Sequence, residues 1–148
     1  DMGEVARRLN DGLPKELAVD AVYYPTTKFS DIAAAEYRIT LHTRAASEVL
    51  ASALAARLCD KPLTVHKRTK SGDKDVDVSG AVLDVAASFL AEAGTVTLTV
   101  RLAADSGSFL NPDYLIGYLS EKEGILAGEG YYEVVRTHLF LANGEDFA

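Results

Sequence analysis

The chain has 148 residues, with 22 acidic against 15 basic side chains and a formal net charge of −7. That length suits one domain with a full core, and the charge balance excludes a general nucleic-acid binder, which needs a cationic surface. A 48% hydrophobic, 25% charged composition argues against disorder, the apolar runs are too short to predict a membrane span, and one cysteine (Cys59) rules out an internal disulfide.

The opening residues, Asp1-Met2-Gly3-Glu4, lack the basic start and apolar run of a signal peptide, so a cytoplasmic location is expected. They lead straight into a helical pattern, Val5, Leu9 and Leu13, stopped by Asp11-Gly12 and Pro14. Leu17, Val19, Ala21 and Tyr23 then alternate with Ala18, Asp20 and Val22, which reads as a strand ended by Pro25. A lone helix and strand cannot form a domain. Residues 1–34 are therefore expected to be the remnant of a truncated N-terminal portion plus a connector, weakly anchored or packed across a homodimer contact.

From Ala35 the pattern is regular. Tyr37, Ile39 and Leu41 alternate with polar residues in a half-buried strand. An alanine-rich helix follows over 45–58, with Val49/Leu50, Ala53/Leu54 and Leu58 along one face, ended by Asp60-Lys61-Pro62. Two extended runs, 63–69 and 74–78, meet at Ser71-Gly72-Asp73, a hairpin signal. Residues 82–90 alternate as a strand, with a helix as the competitor because of the alanines. Val96, Leu98, Val100 and Leu102 mark another strand, Asn111-Pro112 opens a helix that runs to Gly124, and the last strand spans 132–141 before a polar tail, 143–148.

The order from 35 to 142 is strand, helix, hairpin, strand, strand, helix, strand. It predicts an α+β, ferredoxin-like βαββαβ sandwich with an inserted basic β-hairpin, preceded by an orphan helix and strand. Both helices should cover one sheet face, leaving Thr and charged residues on the other.

Five of the fifteen Lys/Arg fall between Lys61 and Lys74, while from Asp105 onward eight acids face only Lys122 and Arg136. Lys67, Arg68, Lys70 and Lys74 on the hairpin, with Arg136 on the last strand, are the candidate nucleic-acid contacts, since a projecting basic ribbon can track phosphates. The competing reading is an edge hairpin kept soluble by lysines, and the interspersed Asp73, Asp75 and Asp77 favour it. Asp77 is the candidate for a structural charge pair with Lys74 or Arg136. Arg136 and His138 share a strand face by alternation. With no nucleophile elbow, phosphate loop or dinucleotide fingerprint, no catalytic residue, metal or cofactor is assigned, and Gly124 to Gly130 reads as a connector.

Three stretches also carry a resemblance: Leu9-Asn10 through Leu13-Pro14, Ala34-Ala35-Glu36-Tyr37-Arg38, and Lys67 through Asp77. Together with Asn111-Pro112-Asp113 and Val135-Arg136-Thr137, they make nearly the whole chain similar to the radical-SAM-linked domain of unknown function. That resemblance implies a bacterial protein encoded beside, or fused to, a cobalamin-binding radical SAM protein, and an additional N-terminal stretch of some tens of residues. It supplies no activity. A radical SAM cluster needs three closely spaced cysteines, so this chain would position a substrate or dock the partner. The expectation is a non-catalytic accessory domain that presents a substrate, RNA being the candidate, to a radical SAM partner. Its alternative is a protein-interaction or oligomerisation module, and a third reading, an enzyme acting through Asp77, Arg136 and His138, lacks a nucleophile.

Overall fold

The computed structural model describes residues 1–147, for Thr69 the backbone only. Its elements are α1 (Met2–Gly12), β1 (Ile32–His42), α2 (Glu48–Leu58), β2 (Thr64–Thr69), β3 (Gly72–Asp77), β4 (Val82–Leu90), β5 (Thr95–Ala103), α3 (Pro112–Glu123) and β6 (Tyr131–Leu141). The main sheet has the order β4-β5-β1-β6, with every neighbouring pair antiparallel. The hairpin β2-β3 is a separate two-stranded sheet between α2 and β4. The α+β class and the element order are those the alternation predicts. Residues 82–90 are a strand, because their alternation places Val85, Ala87 and Phe89 against the core and Ala86 and Ser88 outside.

Each element starts and stops for a local reason. Ser47 caps α2 by accepting from the Leu50 N–H at 3.1 Å, which moves the helix start from the expected residue 45 to Glu48. Asn111 accepts from the Asp113 N–H, Pro112 fills the first turn, and Gly124 ends α3 in the left-handed region at φ 63°. The hairpin register pairs Thr69 with Gly72, so the turn is Lys70-Ser71 and not Ser71-Gly72-Asp73. Gly72 resumes the strand at φ 114°, a conformation that side chains resist.

Tyr37, Ile39 and Leu41 of β1, with Val96, Leu98, Val100 and Leu102 of β5, form the centre of the core. Leu54 and Leu58 from α2 and Leu115 and Leu119 from α3 close over them, and Leu63, Val65 and Val78 extend the cluster under the base of the hairpin. Glu36, Arg38, Thr40 and His42 lie between these positions on β1, as Thr97, Thr99 and Arg101 do on β5. One face of the sheet is packed and the other is polar, as antiparallel sheets allow.

Three expectations about the ends of the chain need correction. Residues 17–23 are not a strand. A 3-10 turn at Lys15–Leu17 leads into extended chain that joins no ladder. Alternation is present there, but without a neighbouring strand the backbone is satisfied locally, with the Asn10 side chain bonding both the N–H (2.6 Å) and the C=O (3.0 Å) of Val19. The polar tail, in turn, folds back on β6: the Leu141 N–H reaches the Glu145 carbonyl, the Phe147 N–H reaches the Leu139 carbonyl, and the Phe147 ring lies 5.5 Å from that of Phe29. β1 begins at Ile32, so the expected boundary after residue 34 falls within a strand.

Truncating Ile39 to Ala, at 0% exposure, should cost about 2–5 kcal/mol. The same truncation at Leu9, 46% exposed on α1, should stay within about 0.5 kcal/mol. Denaturant midpoints of the two variants check both values.

Candidate functional site

The hairpin is fixed at its base. Leu63 and Val78 are buried there, the Val78 N–H bonds the Leu63 carbonyl at 2.9 Å, and Asp77 Oδ1 accepts from the N–H groups of Ser79 (2.9 Å) and Leu63 (3.1 Å). The Ser79 N–H and hydroxyl, followed by the Leu63 N–H, hold the Asp77 carboxyl below its ordinary pKa. The structural role expected of Asp77 thus falls to backbone donors and not to Lys74 or Arg136.

The register sorts the charges of the ribbon by face. His66 lies opposite Asp75 and Arg68 opposite Asp73, with His66 Nδ1 2.9 Å from Asp75 Oδ1 and Nε2 3.5 Å from Asp73 Oδ2. Asp75 first and Asp73 second raise the His66 pKa. On the other face Lys67 lies directly opposite Lys74, above Val65 and Val76, and the Lys67 ammonium sits 5.2 Å from the Tyr114 ring centroid. Lys70 is exposed in the turn. The four hairpin candidates therefore do not share a face, and Arg136 belongs to the other sheet.

On β6 the register slips between the His138–Glu36 and Arg136–Tyr37 pairs, leaving Thr137 as an extra residue. The bulge breaks the alternation by which Arg136 and His138 would share a face. The Thr137 hydroxyl bonds Glu36 Oε1 at 2.8 Å, and His138 lies 3.7 Å from Asp146 in the folded-back tail. Arg136, Thr137, His138 and Asp146 line a shallow depression of about 330 Å³ with Phe147. The one hydroxyl among these side chains is already engaged, and Asp77 is on the other sheet, so the Asp77/Arg136/His138 set is not assembled.

Sequence reasoning missed Arg101. Asp84, Arg101, Glu36 and His138 lie in register across all four strands of the main sheet. The Arg101 guanidinium packs 3.9 Å from the Phe140 ring centroid. Among the described residues Glu36 is the one carboxylate within ion-pair distance of it, at 4.0 Å, and its enclosed Nε has no acceptor. The signal was the single charge on an otherwise apolar and threonine strand. What it would meet depended on register.

The N-terminal segment is the other unassigned surface. No residue from Asp1 to Ala33 is buried, and Val5, Leu9, Leu13, Leu17, Tyr23, Tyr24 and Phe29 are all exposed. The polar side of α1 is laced by Glu4–Arg7 (2.9 Å), Glu4–Arg8 (2.8 Å) and Arg7–Asp11 (2.9 Å) pairs. Among the described residues no three potential metal ligands converge, and no helix is long and apolar enough to cross a membrane.

An α+β domain with a projecting hairpin and an uncovered N-terminal helix is the class these observations define. Residues 1–112 match the family described as "Uncharacterized protein conserved in bacteria (DUF2344)", and the chain belongs to it. No curated protein and no solved structure matches the chain. The match takes in α1, the hairpin and Arg101 and ends at the first residue of α3, so Arg136 and His138 lie beyond it.

Asp77 tests the hairpin base. Its folded pKa lies below the unfolded one, so its stabilisation is present above the unfolded pKa and is lost as pH falls through the folded pKa. Asp77→Ala should lower the melting temperature at neutral pH, and the gap to wild type should close as pH falls through and below the carboxylate range. Thermal melts from neutral to strongly acidic pH check this.

Proposed function

We propose that the chain is a non-catalytic accessory domain that docks on a partner protein through its N-terminal segment. The observation that carries this reading is the absence of any buried residue before Ala34, in a segment that holds seven exposed large apolar side chains. An isolated 11-residue helix is marginal in water. A helix with one apolar face and ion pairs on the other is the form that lays itself into an apolar groove.

Magnitudes decide how much of the segment must engage. Val5, Leu9, Leu13 and Leu17 are 39–64% exposed. Covering what remains exposed would contribute about 3–6 kcal/mol, half the value for four fully exposed side chains. Association costs roughly 4–15 kcal/mol. These four side chains alone are insufficient, and Tyr23, Tyr24 and Phe29 belong to the same contact.

The partner in this reading is a radical SAM protein, the neighbour implied by the sequence resemblance. This chain has a single cysteine and contributes no cluster of that type. Its contribution is placement of a substrate against the partner, with a cytoplasmic setting as part of the same proposal.

RNA is the second substrate reading, favoured by one feature: Lys67 and Lys74 lie side by side on one face, with Lys70 at the tip. The ribbon from 64 to 77 carries four Lys/Arg against three Asp, so its attraction for phosphate is local and small.

Val5→Asp with Leu9→Asp should leave the melting temperature unchanged and weaken binding to the purified radical SAM protein roughly tenfold or more. Undiminished binding sinks the docking reading. A concentration-dependent dimer that the double variant abolishes, with no binding to the partner, would replace it with self-association. For RNA, a few phosphate contacts predict a log–log salt slope of about −2, abolished by Ala at Lys67, Arg68, Lys70 and Lys74 together. No binding at low salt eliminates that reading.

A further inference from the structure

A second site stands apart from docking, around the Arg101 guanidinium on the polar face of the main sheet. Arginine carries five N–H donors. Arg101 holds them on an aromatic platform, with Nε enclosed and without an acceptor among the described residues, and with Glu36 beyond hydrogen-bond distance. Enclosing Nε without an acceptor is costly, and the rest of the guanidinium, 36% exposed, presents N–H groups that an entering acceptor can reach.

The surroundings define the acceptor's chemistry. Asp84 lies opposite Arg101 in register, on the adjacent strand, yet outside ion-pair distance; its Oδ1 instead accepts from the Val85 N–H at 3.0 Å. The register shift between Val82 and Asp84 accompanies this separation. Both charges line one depression of about 430 Å³, whose other walls include Ala33, Leu83, Phe140 and Leu141. A simple anion in the depression would meet Arg101 but also the Asp84 carboxylate, with Glu36 already 4.0 Å from the same guanidinium. A ligand with its own cation beside its carboxylate meets the opposite charge at both ends, and the apolar wall suits a hydrocarbon side chain.

We infer that the depression formed by Arg101, Asp84 and Phe140 binds a small zwitterion, a free α-amino acid with an apolar side chain. The ligand carboxylate accepts from the Arg101 guanidinium, its ammonium donates to Asp84, and its side chain lies along Leu83 and Leu141.

The test is an amide-shift titration of the isotopically labelled chain with L-leucine, beside 4-methylpentanoate, which lacks the ammonium, and 3-methylbutylamine, which lacks the carboxylate. Leucine should shift the amides of Ala34, Leu83 and Phe140 saturably, and each analogue should bind roughly tenfold more weakly or worse. Arg101→Gln should weaken leucine by a similar factor. Asp84→Asn, at an exposed position whose replacement leaves the core intact, should weaken leucine while sparing 4-methylpentanoate. No saturable shift with leucine up to its solubility limit would overturn the site and leave water as the occupant. Equal affinity for 4-methylpentanoate, or no change in leucine binding in Asp84→Asn, would overturn the zwitterion assignment.

Discussion

The register between β1 and β5 is the constraint on which the rest of the molecule depends. Tyr37, Ile39 and Leu41 lie opposite Val100, Leu98 and Val96, and all six are buried. Because side chains alternate with period two, a slip of one residue would turn Glu36, Arg38 and Thr40 into the core and move the apolar set into water. Each of the three charged or polar residues would then need a partner that Leu54, Leu115 and Leu119 cannot supply. The packed face therefore fixes the polar face, and the placement of Arg101 beside Glu36 follows from hydrophobic burial on the opposite side.

The edge strands add what the centre cannot. Both carry irregularities close to the same row, the slip at Thr137 on β6 and the slip between Val82 and Asp84 on β4. An extra residue bends its strand and redirects the neighbouring side chain. On β6 the bulge brings the Thr137 hydroxyl onto Glu36, so that this carboxylate is already hydrogen-bonded and stands 4.0 Å from the guanidinium. On β4, Asp84 bonds the next backbone N–H and does not pair with Arg101. A regular ladder would favour a cross-strand Asp–Arg pair at these positions and close the depression.

Period and punctuation made the body of the fold legible. The period-two spacing of Val85, Ala87 and Phe89 against Asp84, Ala86 and Ser88 outweighed the helix propensity of the alanines, and Asn111-Pro112 marked the start of α3 to the residue. What failed depended on partners distant in sequence. Alternation over residues 17–23 met the local condition for a strand, yet a strand exists only where another backbone pairs with it, and here Asn10 substitutes. The acidity of Asp77 pointed to a cation, whereas two backbone N–H groups at the hairpin base, Leu63 before it and Ser79 after it, bond the carboxylate. Arg136 and His138 share a face only in an unbroken strand, and the bulge at Thr137 arises from pairing with β1. The row through Arg101 combines residues from four strands, so no local window contains it.

The same distinction between local and paired satisfaction separates the two ends of the molecule energetically. In the body, backbone groups are held in ladders sealed by a core of residues at or near 0% exposure. From Asp1 to Asp31, before β1 begins, α1, two 3-10 turns and the Asn10–Val19 bonds order the backbone, and nothing is buried. Opening such a segment exposes little apolar surface that is not already exposed, so its local stability is set apart from that of the sheet. A partner that covered Val5, Leu9 and Tyr23 would act on this equilibrium directly while leaving the β1–β5 register, and with it the Arg101 row, unchanged. The proposed docking and the proposed ligand capture can thus coexist on one chain, because the first would draw on a segment outside the core and the second on a geometry that the core enforces.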